Sequence, residues 1–217
     1  MFDEVRALLR KDFILDFRQK FGLGGIFLYV FSSFFIVFLS FGQVGGQAWV
    51  TLYWIVVLFG SVNAVLKSFA QEDDRRRIYY FTLTDPIAVM FSKLIYNTAL
   101  IFVIALLSLV LFSLLTEYPV QESGFFFLAL VLGAFGIAAN FTFVSAIANH
   151  TSNKSTMMMI LSLPVIIPLL LPLIRLSIKS LAPATWAMVQ SDLTMLLSVD
   201  LLIVGISVLL FPFLWKG

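Results

Sequence analysis

No cysteine occurs anywhere in the 217 residues. Disulfides, thiolate nucleophiles and Cys-ligated metal sites are therefore excluded. The single histidine, His150, cannot build a His-rich metal centre by itself. Charge is equally scarce, at 12% of residues against about 25% in an ordinary soluble domain. A net charge of +2 gives no argument for nucleic acid. The sequence contains no G-x-x-x-x-G-K-[ST] phosphate loop, so ATP cannot bind in the P-loop manner. H-E-x-x-H and G-x-S-x-G are missing as well, and no Ser/Lys or Asp/Asp pair falls inside an apolar run. An intramembrane enzyme is not expected, and a proton-coupled carrier would need more buried ionisable groups.

What is present in excess is apolar surface. Hydrophobic residues make up 61% of the chain and the mean hydropathy is +1.03. A soluble core of this size could not hide that much, so the solvent is lipid. No polar block is long enough to fold separately, which leaves one transmembrane domain over residues 1–217.

Six spans are predicted, at Leu23–Phe41, Ala48–Leu66, Leu94–Thr116, Phe125–Ala148, Met157–Ile174 and Leu193–Trp215. Each is close to the ~20 residues a helix needs to cross the hydrocarbon. Residues 1–22 precede them and carry Asp3, Glu4, Asp12 and Asp16, which rules out a signal peptide. Phe2, Val5, Leu9, Phe13 and Phe17 recur at helical spacing, so this segment reads as an amphipathic helix lying in the membrane interface. A solvated helical tail is the alternative. Gly22, Gly24 and Gly25 supply an expected break before the first span.

The distribution of Lys and Arg sets the orientation. One side would hold Arg6, Arg10, Lys11, Arg18, Lys20, Lys67, Arg75, Arg76, Arg77, Lys93, Lys154 and Lys216, which is 12 of the 14. Only Arg175 and Lys179 fall on the other. Both termini and the segment 67–93 are therefore expected in the cytoplasm. The opposite loops, at Gly42–Gln47, Glu117–Gly124 and Arg175–Asp192, are short. Trp49, Tyr53 and Trp54 stand where an outer aromatic belt would fall.

Six of the seven residues Gln71–Arg77 are charged, and Ile78, Tyr79, Tyr80 and Phe81 follow directly. As a mere connector, this segment would only obey the positive-inside rule. As a docking surface, Glu72, Asp73, Asp74, Arg75, Arg76 and Arg77 would pair with charges on a cytoplasmic protein while Tyr79, Tyr80 and Phe81 fill its groove. Aromatics and Arg dominate binding energy at interfaces, which favours docking.

Four features stand inside the spans. Pro164, Pro168 and Pro172 lie at i, i+4 and i+8 of span five, and each leaves a backbone carbonyl without its usual donor. They mark either a kinked structural helix or a bendable element along a path. Asn63, Asn97 and Asn140 read as helix–helix glue. Asp200 is a costly group in lipid and a pathway candidate, unless it reaches the hydrated outer interface. Span four carries Ala129, Gly133, Ala134, Gly136, Ala138 and Ala139, small residues that permit close helix approach. Residues 175–192 are too apolar for a free loop. Pro183 is expected to start a short separate helix whose Trp186 dips into the outer leaflet, with Asp200 just beneath this cap.

Taken together, this order of features resembles an ABC-2-type permease, and more narrowly the heme exporter protein B family of the cytochrome c maturation system. The stretch Leu161–Leu171 (LSLPVIIPLLL) is similar to that family's Leu-Pro-x-x-Ile-Pro-Leu-Leu pattern. Phe69, Asp73, Asp74, Pro86 and Lys93 are similar to its Phe, acidic pair, proline and lysine. One departure is that Arg75, Arg76 and Arg77 follow the acidic pair, where family members often place a glycine. The resemblance implies an all-α, six-span permease with a cytoplasmic ABC ATPase dimer docked on residues 67–93. It also implies a second six-span subunit handling haem and a small one-span accessory subunit, all in the bacterial inner membrane. No cofactor is expected on this chain: ATP belongs to the partner, and haem is a transported or partner-bound ligand. His150, at the end of span four, is not expected to ligate haem. Export of a lipid, polysaccharide or drug, and a non-transporting scaffold, are the rival readings.

Overall fold

The computed structural model describes residues 1–18, 20–42, 44–70, 85–148 and 153–216. They form seven helices: α1 (Phe2–Arg18), α2 (Lys20–Phe41), α3 (Gly46–Ala70), α4 (Pro86–Leu115), α5 (Ser123–Ala148), α6 (Lys154–Lys179) and α7 (Trp186–Lys216). Helices α2 to α7 are each long and apolar enough to span a bilayer. With six spans both ends of the chain emerge on one side, called here the terminal side. The fold is all-α, in keeping with an ABC-2-like permease.

Helix boundaries follow local chemistry. Asp85 caps α4, its Oδ1 accepting from the backbone N–H of Ile87 at 3.0 Å, and Pro86 takes the first helical position, where a missing N–H costs nothing. This cap starts the third span well before the expected Leu94. Its 30 residues run about 45 Å, longer than the hydrocarbon is thick. Asn153 caps α6 in the same way, accepting from Thr156 N–H at 3.4 Å.

One expected break does not occur. Gly24 and Gly25 lie inside α2, which already starts at Lys20, so glycine does not separate it from α1. Glycine inside a helix costs only about 1 kcal/mol relative to alanine, which a long apolar helix absorbs. Pro164, Pro168 and Pro172 lie within one helix, α6.

The core is organised around α5, of which 67% of the spanning window is buried, against 17% for α2. It is packed by α3, α4, α6 and α7. Glycine makes this possible: a Cβ on Gly133 would come within 2.6 Å of Trp54 and 2.8 Å of Leu173. The small residues of span four are thus the places where neighbouring helices come closest.

The aromatics Trp49, Tyr53 and Trp54 are not an outer belt. All three are buried, and each polar tip finds a partner inside the bundle. Trp49 Nε1–H donates to Thr116 Oγ1 at 2.9 Å, Tyr53 O–H to the Ala105 carbonyl at 3.0 Å, and Trp54 Nε1–H to Ser177 Oγ at 2.9 Å. Phe112 and Phe126 pack edge-on and tilted around them, with ring centroids 4.9 to 6.0 Å from their neighbours. An aromatic that buries its ring and satisfies its N–H or O–H within the protein gains more than one parked at the interface.

The segment expected to form a separate outer helix does not do so. Residues 181–185 form a turn, and Trp186–Asp192 are the first turns of the unbroken α7. The turn is nonetheless tied down at its flanks. The N–H groups of Gln121 and Glu122 both donate to the Ser180 carbonyl, at 3.1 and 3.0 Å. Lys179 Nζ sits 2.5 Å from Asp192 Oδ2 and donates to the Met188 carbonyl at 2.6 Å.

Candidate functional site

Helix α7 presents a buried stripe of Val189, Asp192, Leu193, Leu196, Asp200, Ile203 and Ser207, at spacings of one, three or four residues. Asp200 falls on this stripe about 12 Å deeper than Asp192, taking 1.5 Å per residue. It is 1% exposed, so the case of a hydrated outer carboxylate is overturned. Neither of its oxygens has a hydrogen-bond partner, and among the described residues no cation pairs with it.

The reason Asp200 fits is Gly136 on α5. A Cβ on Gly136 would overlap Asp200 Oδ1 and would stand 2.5 Å from Leu169 Cδ1 of α6. Three helices therefore converge on a carboxylate that only glycine can accommodate. One turn along the same face of α5 lies Asn140, fully buried, with neither amide atom hydrogen-bonded. Nearby in sequence, Thr142 Oγ1 accepts from Asn97 Nδ2 of α4 at 2.9 Å, and Asn97 Oδ1 is left over. Asn97 thus does join two helices, whereas Asn63 only donates back to the Phe59 carbonyl of its own helix at 3.0 Å.

A second charged site ties α1 to the bundle on the terminal side. Asp12 Oδ2 lies 3.2 Å from Lys93 Nζ of α4, with both side chains buried, and Asp12 Oδ1 lies 3.2 Å from Lys11. Phe13 packs edge-on against Tyr96 at 5.2 Å. The face of α1 turned to the protein is therefore centred on Leu8 and Asp12, while Phe2 stays 85% exposed. Phe2 thus faces outward while Phe13, partly exposed, leans on the bundle, and Lys93 is a buried helical residue rather than a loop cation.

Pro164 and Pro168 lie on the exposed face of α6, whereas Pro172 is buried. The expected coupling residues Glu72, Asp73, Asp74, Arg75, Arg76, Arg77, Tyr79, Tyr80 and Phe81 lie outside the described residues, as does His150. Their flanks are described, and they are helical on both sides: α3 runs to Ala70 and α4 begins at Pro86.

Against known families, residues 3–214 match the family model described as CcmB protein. The chain belongs to the CcmB family. Comparison with curated proteins and with solved structures gave no match. As a CcmB-family member with six apolar spans, it is a multi-pass membrane protein and a heme exporter permease component for cytochrome c maturation.

The pairings Gly136–Asp200 and Asp12–Lys93 were not read from the sequence. Each had a signal, namely a charge inside an otherwise apolar helix, but nothing in the sequence names its partner.

Proposed function

We propose that this chain is the permease subunit of an ATP-driven complex in haem delivery, with ATP hydrolysis on a separate cytoplasmic ABC ATPase dimer. The observation that carries this reading is the CcmB family match over residues 3–214, in a sequence without a phosphate loop. The ATPase docks on the segment between α3 and α4, charge against Glu72–Arg77 and groove against Tyr79, Tyr80 and Phe81, since Ala88–Lys93 are buried in α4. The mixed charge and aromatics of that segment support it. So does the mechanics of its flanks. A displacement of the segment acts on α4 directly, because the Asp85 cap begins a helix at once, and reaches α1 through Asp12 and Lys93.

In this reading the terminal side is cytoplasmic, as 12 of 14 Lys and Arg residues favour, and the membrane is the bacterial inner membrane. A second six-span subunit handles haem and a one-span subunit accompanies it. Haem is cargo or partner-bound ligand. ATP energy either moves it or releases a haem-loaded chaperone on the far side.

The test is deletion of the chain in a host that makes c-type cytochromes, followed by haem staining. Loss of covalently bound haem, restored by the wild-type chain only when the ATPase can hydrolyse ATP, is the expected result. Normal cytochromes with a defect in lipid, polysaccharide or drug export would assign a different cargo. Full restoration beside a hydrolysis-dead ATPase would make the chain a scaffold.

A further inference from the structure

We infer that the α5–α7 seam at Gly136 is a binding site for a small polar guest, ordered water or a monovalent cation, held between the Asp200 carboxyl and the Asn140 carboxamide. Two independent observations carry it. Asp200 is buried mid-span with both oxygens lacking any partner within the protein, and Asn140, fully buried one turn from Gly136, has both its donor and its acceptor unused. Lipid cannot satisfy any of these four atoms, so the unmet demand must be met within the bundle. Native interiors leave very few buried polar atoms unpaired, and where they gather, a bound water or ion is the usual occupant.

The chemistry selects the guest. Carboxyl oxygens and a carboxamide oxygen accept hydrogen bonds or ligate hard cations, while the amide N–H of Asn140 donates. Water satisfies this set by donating to the carboxyl and accepting from the amide. A monovalent cation uses the oxygens alone. A bulky organic guest is excluded, because the Asp200 carboxylate and Leu169 already crowd Gly136. Asp192 on the same stripe makes no such demand, because its charge is already engaged by Lys179. The inference does not rest on the ATPase-driven reading of the chain, which a dry seam would leave intact.

Radiolytic footprinting of the intact complex in lipid nanodiscs tests for water, since hydroxyl radicals formed from bound water oxidise the side chains around it. Leu169 and Ile203, both buried, are expected to oxidise faster than Ile101 and Val57, which are as buried elsewhere. Asp200→Leu should abolish that excess. Should this variant fail to insert, Asp200→Asn, which keeps the shape but weakens the acceptor, should reduce it. A cation is tested on the wild-type complex with dicyclohexylcarbodiimide, an apolar reagent that tags buried carboxyls. Protection of Asp200 by sodium or potassium chloride, but not by choline chloride, assigns a cation. Slow oxidation at Leu169 and Ile203 together with carbodiimide tagging indifferent to salt would show a dry seam and overturn the inference.

Discussion

Asp12 of α1 and Lys93 of α4 form an ion pair at 3.2 Å with both side chains buried, 81 positions apart in the sequence. The contact joins the first helix to the start of the third span. It makes α1 part of the bundle on the side of Leu8 and Asp12, while Phe2 stays exposed.

Breaking that pair should be expensive. Removing one member of a buried pair commonly costs about 3–5 kcal/mol, because the other charge is left unpaired. Asp12→Ala is expected to lower the unfolding midpoint in nanodiscs and to open α1 to limited proteolysis. The charge exchange Asp12→Lys with Lys93→Asp should recover much of the loss. A single variant as stable as wild type would show that α1 is not held this way.

Gly136→Ala is expected to destabilise by about 1–3 kcal/mol, the usual range for forcing atoms into a packed interior. Its methyl group would meet the Asp200 carboxylate and Leu169. Asp200→Ala in the same chain should relieve part of the effect, so a thermal-unfolding double-mutant cycle should show coupling. Additive losses would place Asp200 away from Gly136.

Trp54→Phe and Ser177→Ala should likewise couple, by about 0.6 kcal/mol, the average for an interhelical hydrogen bond in a membrane protein. The same Ser177 hydroxyl donates to the Leu173 carbonyl at 2.8 Å, so the single Ser177→Ala change should cost more than the coupling alone. Independent effects would mean that the indole N–H is satisfied elsewhere.

Because the chain has no native cysteine, accessibility of the α6–α7 turn can be read from single replacements. Cysteine at Val189, fully buried, should resist a membrane-impermeant thiol reagent, whereas cysteine at Ala182, in the exposed turn, should react quickly. Equal, fast labelling at both would describe a solvated loop rather than the start of α7.

Alanine at Tyr79, Tyr80 and Phe81 together should detach the ATPase while the chain remains in the membrane. Losing buried interface aromatics commonly weakens binding by at least about 2 kcal/mol, or roughly 30-fold. Unchanged co-purification of the ATPase with the triple variant would end the docking proposal.

The spans were legible because lipid imposes a length and a composition, so each predicted span overlaps an observed helix. What the sequence hid was the direction in which side chains point. Trp49, Tyr53 and Trp54 looked like belt residues, since their distance from the span end is the same whether they face lipid or neighbours. Residues 175–192 read as too apolar for open water. Whether such residues make their own helix or extend the next depends on tertiary ties such as Lys179 to Asp192. Lys93 was counted as a loop charge because its partner stands 81 residues earlier. Hydropathy is local, and these pairings are not.

The fit of Asp200 against Gly136 also bears on how the chain is assembled. A lone aspartate at the centre of a span disfavours insertion by about 2.5–3.5 kcal/mol on a biological scale. The helix that must shelter it, α5, is made earlier, and α5 itself cannot be fully covered until α6 and α7 arrive. Each supplies what the other lacks, a groove for a carboxylate and a lid for a glycine-lined groove. Docking of the sixth span against the fourth is therefore expected to be a step of its own, distinct from the insertion of either span. A chain stalled before that step would show lipid an uncovered, small-residue face, the kind of surface by which a membrane quality-control protease can recognise an unfinished subunit.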